Sequence, residues 1–288
     1  MSFTDNKPAV GVAWRKDQNA QSFVGVLKSI EAAGGRPVVL DQVLSSALPY
    51  NGKTLADGAD EYGCLSLEAA NLLRSNHADI ADAEKVMRGI KAIVFPGGED
   101  ISPNLYLRPQ NIESREGFCA ERDVSDFILM SYCLDNDIPI LAICRGIQVL
   151  AVVSGADMIQ DIGCYIEGMG KTYYHEHRKE PDVPGGYRDF AAHDVSVTDT
   201  DSLLYRIVET DVIPSVPSWH HQAVKSVSGT SLVVTAVTDT SGVQLIEAVE
   251  RPDRRFVLGI QFHPEIAVVR SRDELSLSYF RAIVKQAE

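Results

Sequence analysis

LAICRGIQVL, residues 141–150, sets a cysteine between two kinds of pattern. The apolar run Pro139-Ile140-Leu141-Ala142-Ile143 leads into it and has the length and aliphatic content of a buried strand. Arg145 and Gly146 follow, and Ile147-Gln148-Val149-Leu150-Ala151 then reads as a helix. Strand, Cys, any residue, Gly, helix is the layout of a nucleophile elbow. Such a turn lifts a side chain over the carboxyl edge of a sheet, where open α/β sheets bind ligands. Gly146 leaves room for a tight turn, and helix N–H groups aimed at a sulfur favour thiolate. A structural cysteine buried at the end of a core strand produces the same local pattern. Taken by itself, the stretch leaves Cys144 level between these readings.

Working outward, strands alternate with helices. Ala9–Trp14 reads as a first strand, Ser22–Ala33 as a helix closed by Gly34-Gly35, and Arg36–Leu40 as a second strand. Residues 41–90 hold turn signals at Pro49-Tyr50-Asn51-Gly52 and Asp57-Gly58 and two helices, around 64–75 and 79–89. Lys91–Phe95 is a third strand ending in Pro96-Gly97-Gly98; a long polar loop follows, then a helix through Val124, Phe127, Ile128, Met130 and Leu134. Near-continuous apolar strands separated by helices specify a parallel sheet covered on both faces. After about residue 160 the rhythm changes. His193–Val197, Leu232–Thr238, Val243–Val249 and Phe256–Phe262 read as strands joined by turns, with Ser241-Gly242 suited to a hairpin. Residues 272–287 form a closing amphipathic helix. With no Pro/Ser/Gly linker, the expectation is one domain over 1–288. Its fold class is α/β, an open, mostly parallel sheet with helices on both faces and an antiparallel extension in the C-terminal half.

The chain has 288 residues, 45% of them hydrophobic and 23% charged, and a formal net charge of −13. That balance fits a globular protein and argues against a binder of phosphate backbones. The five cysteines, at 64, 119, 133, 144 and 164, form no CxxC pair. No apolar run reaches the length of a membrane span and the N-terminus has no signal-peptide pattern, so a cytoplasmic location is expected, with reduced thiols.

A thiol nucleophile needs a base and a group to orient it. Histidines stand at 77, 175, 177, 193, 220, 221 and 263. His263 follows an apolar strand in GIQFHPE, fixed by Pro264, with Glu265 two residues on. An elbow Cys-Arg-Gly-x-Gln with His-Pro-Glu about 120 residues later resembles the class I glutamine amidotransferases. Within them the chain is similar to the stand-alone γ-glutamyl hydrolases of the peptidase C26 group. FPGGEDISPNLY (95–106), AERD (120–123), AICRGIQVLAVVSGADMIQDI (142–162), WHHQAVK (219–225) and LGIQFHPE (258–265) carry the match.

That resemblance implies a flavodoxin-like fold and a Cys144, His263, Glu265 triad with a γ-glutamyl thioester intermediate. It implies hydrolysis of γ-glutamyl-amine compounds, γ-glutamyl-γ-aminobutyrate or a related one, within polyamine catabolism. It places the oxyanion hole at the N–H groups of Gly98 and Arg145, and substrate contacts at Gly97, Gln148, His220, His221 and Gln222. Arg122 and Asp123 are expected at a helix start near the pocket mouth. No cofactor is implied, and the expected partners are the small-molecule substrate and at most a second copy of the chain in a homodimer. A metal at His220-His221 or at His175-Glu176-His177 is the rival reading. Adjacent histidines point apart on a strand, so no metal site is expected. The longer 41–90 segment, where the chain departs from the group, is a candidate roof over the site. Two other classes of function stay open: a glutaminase subunit delivering ammonia to a separate synthase, and a non-catalytic binding protein on the same fold.

Overall fold

The computed structural model describes residues 7–75, 80–109, 117–180, 182–183 and 189–288. The chain opens with β1 (Ala9–Val12), α1 (Gln21–Ala32) and β2 (Arg36–Val39). A small hairpin of β3 (Tyr50–Asn51) and β4 (Thr54–Leu55), then α2 (Leu67–Ser75) and α3 (Ile80–Val86), lead to β5 (Ile93–Phe95). Next come α4 (Ala120–Asp135), β6 (Ile140–Ile143) and α5 (Arg145–Val153), followed by β7 (Asp157–Ile159) and α6 (Ile162–Glu167). The C-terminal half runs through β8 (Ala191–Val197), α7 (Leu203–Val208), β9 (Val212–Ser218), β10 (Ala223–Ser226), β11 (Val233–Thr240) and β12 (Val243–Glu250). It ends with β13 (Val257–Ile260), α8 (Pro264–Ser271) and α9 (Glu274–Gln286).

Nine strands make one sheet in the order β2-β1-β5-β6-β13-β12-β11-β8-β9. The first five are parallel and the rest antiparallel, so the expected parallel sheet with an antiparallel extension is what forms. Burial on both faces is visible in β6. Ile140 and Ala142 join the core under α2–α5, while Leu141 and Ile143 join the core under α1, α8 and α9. A strand that is apolar at every position is the consequence. The far edge, β9, carries Pro214 and Pro217, which lack the N–H a further strand would need.

Three expectations are corrected here. β8 and β9 are joined through α7 rather than by a turn, and α6 and α8 also lie in this half. These helices have six to eight residues, too few for a 3.6-residue period to stand out. Phe256–Phe262 contributes β13, which pairs in parallel with β6 and so returns the chain to the middle of the sheet. Finally, α2, α3 and the small hairpin pack on the outside of α4, so the segment 41–90 thickens one helical layer. The Ser241-Gly242 hairpin forms as expected, both residues taking positive φ between β11 and β12.

Candidate active site

Because β6 and β13 are neighbours, their carboxyl ends deliver Cys144 and His263 side by side. Cys144 precedes α5 with φ 52° and ψ −103°. A non-glycine residue held there costs about 1–3 kcal/mol and persists only where its surroundings impose it. The surroundings are tight on both sides. The Cys144 N–H donates to the Ile260 carbonyl at 2.8 Å. Gly146 lies so close to β5 that a Cβ there would sit 2.4 Å from the Phe95 carbonyl oxygen. The elbow therefore needs glycine at 146 for contact with a neighbouring strand.

His263 is the residue before α8, with Pro264 at the first helical position and Glu265 in the first turn. Its N–H donates to the Pro217 carbonyl of β9 at 2.8 Å, and its Nδ1 lies 2.6 Å from Glu265 Oε1. Glu265 is fully buried. Phe190 meets both His263 and Trp219 edge-on, with ring centroids 5.2 Å apart in each pair. Burial works against a charged imidazole, but Cys144 and Glu265 beside the ring outweigh it and raise His263 to about 10. The Cys144 Sγ is 3.8 Å from the Trp219 carbonyl oxygen.

The loop after β5 closes the site from the other side. A Cβ on Gly97 would lie 2.8 Å from His263 Cε1 and 3.4 Å from Cys144 Cβ, so this backbone presses on both groups. Gly98 has no room at all, since a Cβ there would be 1.7 Å from Arg122 Nη1. Arg122 is the clamp. It is fully buried, donates to the Pro96 carbonyl at 2.8 Å and to Glu99 Oε2 at 2.7 Å, and lies 3.3 Å from Asp126. Arg145 donates to Asp123 at 2.6 Å and to Asp126, and Asp123 accepts the Ser102 N–H at 3.1 Å. Arg122 and Asp123 thus sit in a buried ion network that joins α4, α5 and this loop, not at the pocket mouth. One helix turn of alternating charge looks the same in sequence whether it faces water or two other charged side chains.

A cavity of about 400 Å³ opens above these groups. Cys144, Gln148, Trp219, His221, Gln222 and His263 line it, joined by Arg15 from the loop after β1 and by Gln21 and Ser22 at the start of α1. No described residue of 41–90 lines it, which removes the expected roof. His221 is held between Asp161, 3.1 Å away, and Asp100, 2.8 Å away. Burial opposes its charge, yet the two carboxylates raise it to about 9 and hold it as a cation at neutral pH. Asp161 in turn is lowered to about 2, its partial burial outweighed by His221 and by the Cys164 N–H that it caps. Gln148 Nε2 donates to the Gln222 carbonyl at 3.2 Å, and the Ile101 N–H donates to Gln222 Oε1 at 3.3 Å. His220 also borders the cavity, but both its nitrogens are engaged, Nδ1 with the Gln222 carbonyl at 2.9 Å and Nε2 with His177 at 3.1 Å. Its contact with a ligand is therefore limited to its ring edge.

The histidine pairs weighed as metal ligands do not act together. His220 and His221 point to different partners, and His175 is exposed and paired with Glu180 at 3.0 Å. His77 lies outside the described residues. The fold instead gathers His177, His193, His220 and Glu247 behind the Trp219–Gln222 wall, a grouping from four separate stretches that spacing in sequence does not signal. Asp100 and Asp161 likewise read in sequence only as ordinary polar residues.

Comparison with known proteins bears on the fold and the family. The family model for peptidase C26 matches residues 68–265. Protein NtpR of Enterococcus hirae is 36% identical over 62% of this chain and 67% of its own length. A protein of Escherichia coli O157:H7 named gamma-glutamyl-gamma-aminobutyrate hydrolase is 31% identical over 63% of this chain and 66% of its own length. Among solved structures, the glutaminase domain of CTPS from Trypanosoma brucei, with bound acivicin, superposes with a TM-score of 0.55 at 17% identity, covering 97% of this chain and 93% of its own. The fold is thus that of the class I glutamine amidotransferases. The chain belongs to the peptidase C26 family, and with it to the glutamine amidotransferase-like hydrolases. No helix among the described residues is long and apolar enough to cross a membrane.

Proposed function

We propose that the chain hydrolyses the γ-glutamyl amide bond of γ-glutamyl-amine compounds, γ-glutamyl-γ-aminobutyrate or a related one, giving glutamate and the amine. The observation that carries this reading is Cys144 at φ 52° on the elbow, beside a His263 whose Nδ1 is 2.6 Å from a buried Glu265. In this reading the Cys144 sulfur attacks the side-chain carbonyl carbon of the glutamyl group, and its proton passes to His263. The tetrahedral oxyanion takes hydrogen bonds from the backbone N–H groups of Gly98 and Arg145. The C–N bond then breaks, the amine leaves with the proton from His263, and a γ-glutamyl thioester remains. In the thioester the sulfur is acylated, and His263, having given its proton to the amine, can take one from water. Water attack releases glutamate and regenerates the thiol. Glu265 holds the ring throughout.

The glutamyl group lies along Gln148, with Gly97 and Gln222 flanking it. Asp100 and the His221 cation offer opposite charges to its α-ammonium and α-carboxylate, while His220 supplies only shape. The cavity, at about 400 Å³, accommodates a leaving amine larger than ammonia.

A panel of γ-glutamyl amides tests the proposal. The purified chain, without a partner, should turn over at least one of them with a higher kcat/KM than glutamine. A glutamine-like electrophile such as diazo-oxo-norleucine should label Cys144, since burial raises Cys119 to about 11 and raises Cys133 as well. Glutamine as the best substrate, with turnover rising sharply when a synthase is added, would establish the ammonia-donating alternative instead.

A further inference from the structure

Behind the wall formed by Trp219 and His221, four buried side chains converge from different parts of the chain. His177 precedes β8, His193 lies on β8, His220 follows β9 and Glu247 lies on β12. Glu247 is fully buried, and His193 Nε2 lies 3.3 Å from its Oε1 without the alignment of a regular hydrogen bond. A carboxylate in such a place is costly unless something positive meets it.

The outward nitrogen of each imidazole is held by an oxygen. His220 Nδ1 is 2.9 Å from the Gln222 carbonyl, His193 Nδ1 is 3.3 Å from the Glu176 carbonyl, and His177 Nε2 is 2.8 Å from Thr240 Oγ1. A carbonyl only accepts, so Nδ1 of His220 and of His193 must carry hydrogen, which leaves Nε2 of each as a lone pair in the neutral ring. Outer oxygens that orient ligating histidines in this way are the usual second layer of a metal site.

One ligand atom from each of His177, His193 and Glu247 lies within 4.8 Å of the others, with His220 beside them. Glu247 Oε1 lies 3.3 Å from His193 Nε2, 3.6 Å from His177 Nδ1 and 3.8 Å from His220 Nε2, and the last two nitrogens are 3.1 Å apart. A tetrahedral zinc site with N and O ligands at their usual bond lengths places neighbouring ligand atoms about 3.3–3.6 Å apart. We propose that His177, His193 and Glu247 bind one zinc ion, with His220 bordering the fourth position. It would tie β8 and β12 to the stretch before β8, beside the segment Trp219–Gln222 that walls the cavity, and no chemical step runs through it.

The competing arrangement uses a proton: His193 as imidazolium against Glu247, with the Thr240 hydroxyl donating to His177 and His177 to His220. Zinc would have to displace that proton and release it to solvent.

Elemental analysis of the full-length wild-type chain decides between the two. The protein is made in zinc-supplemented medium without a histidine tag and passed through chelator-free gel filtration. One zinc per chain is expected, and Glu247→Gln and His193→Gln should retain less than about a tenth of that. Removing the metal with dipicolinate should lower the wild-type Tm by about 5 °C, and Zn2+ but not Mg2+ should restore it. Co2+ soaked into the stripped wild type should give the visible bands of a tetrahedral site, a readout that does not depend on either variant folding. A wild-type chain that arrives without zinc, takes up none on dialysis and has the same Tm with and without chelator would overturn the proposal. So would zinc that stays at full stoichiometry in both variants.

Discussion

Cys144 is held at φ 52° because the Cys144 N–H is committed to Ile260 and Gly146 is pinned against Phe95. The energy stored there is released by a residue without a Cβ. Replacement by glycine and by alanine both remove the thiol and should both abolish turnover. Cys144→Gly should nevertheless be the more stable of the two by ~1 kcal/mol in urea unfolding, the reverse of the usual order. Equal stabilities would mean that the elbow carries no strain. A second residue, His221, makes a pH-dependent contribution. Its folded value of about 9 lies above the ordinary 6.5, so the folded chain binds that proton more tightly. The stabilisation is complete below pH 6.5 and is lost as pH rises through about 9. In His221→Asn the unfolding free energy should lose about 2 kcal/mol near pH 6, and the gap to wild type should close above pH 9. A gap that stays constant across this window would exclude the ion clamp.

At the scale of elements, α4 does more than cover the sheet. Its first turns contribute Arg122, Asp123 and Asp126, which meet Arg145 from α5 and the carbonyl of Pro96 after β5. Removing one partner of such a network leaves the others charged and buried, at a cost of about 3–5 kcal/mol. Arg122→Met should show that loss in denaturant midpoint. It should also lower kcat for any substrate, because the backbone that offers the Gly98 N–H loses its anchor. Arg122→Lys should restore neither property fully, since lysine cannot reach Glu99, Asp126 and the Pro96 carbonyl in one fork. Full rescue by lysine would reduce the network to a matter of net charge.

Across the whole molecule, the outer helical layer and the cavity wall are built from different segments. The described residues of 41–90 pack on α4, away from the cavity, which Arg15 and the start of α1 border instead. Leu73 of α2 is buried in that outer layer. Leu73→Ala should cost about 2–4 kcal/mol of stability and leave kcat/KM at 25 °C within about twofold of wild type. A large rise in KM in this variant would show that the segment reaches the site after all.

The sequence by itself determined the elements that carry short-range signals. Apolar runs gave β1, β5 and β6, the Ser241-Gly242 turn gave a hairpin, and the local motifs around 144 and 263 marked two side chains whose roles need a strand end and a helix start. Short helices such as α6, α7 and α8 escaped because a period of 3.6 residues needs several turns to be seen. What only the tertiary structure decided is which strands are neighbours. β13 lies beside β6, and that adjacency turns two motifs more than a hundred residues apart into one site. The same holds for Arg122 under Gly98, for His221 between Asp100 and Asp161, and for Glu247 among three histidines. Burial and pairing of a charged side chain are properties of what packs against it, and its own stretch of sequence holds only half of that contact.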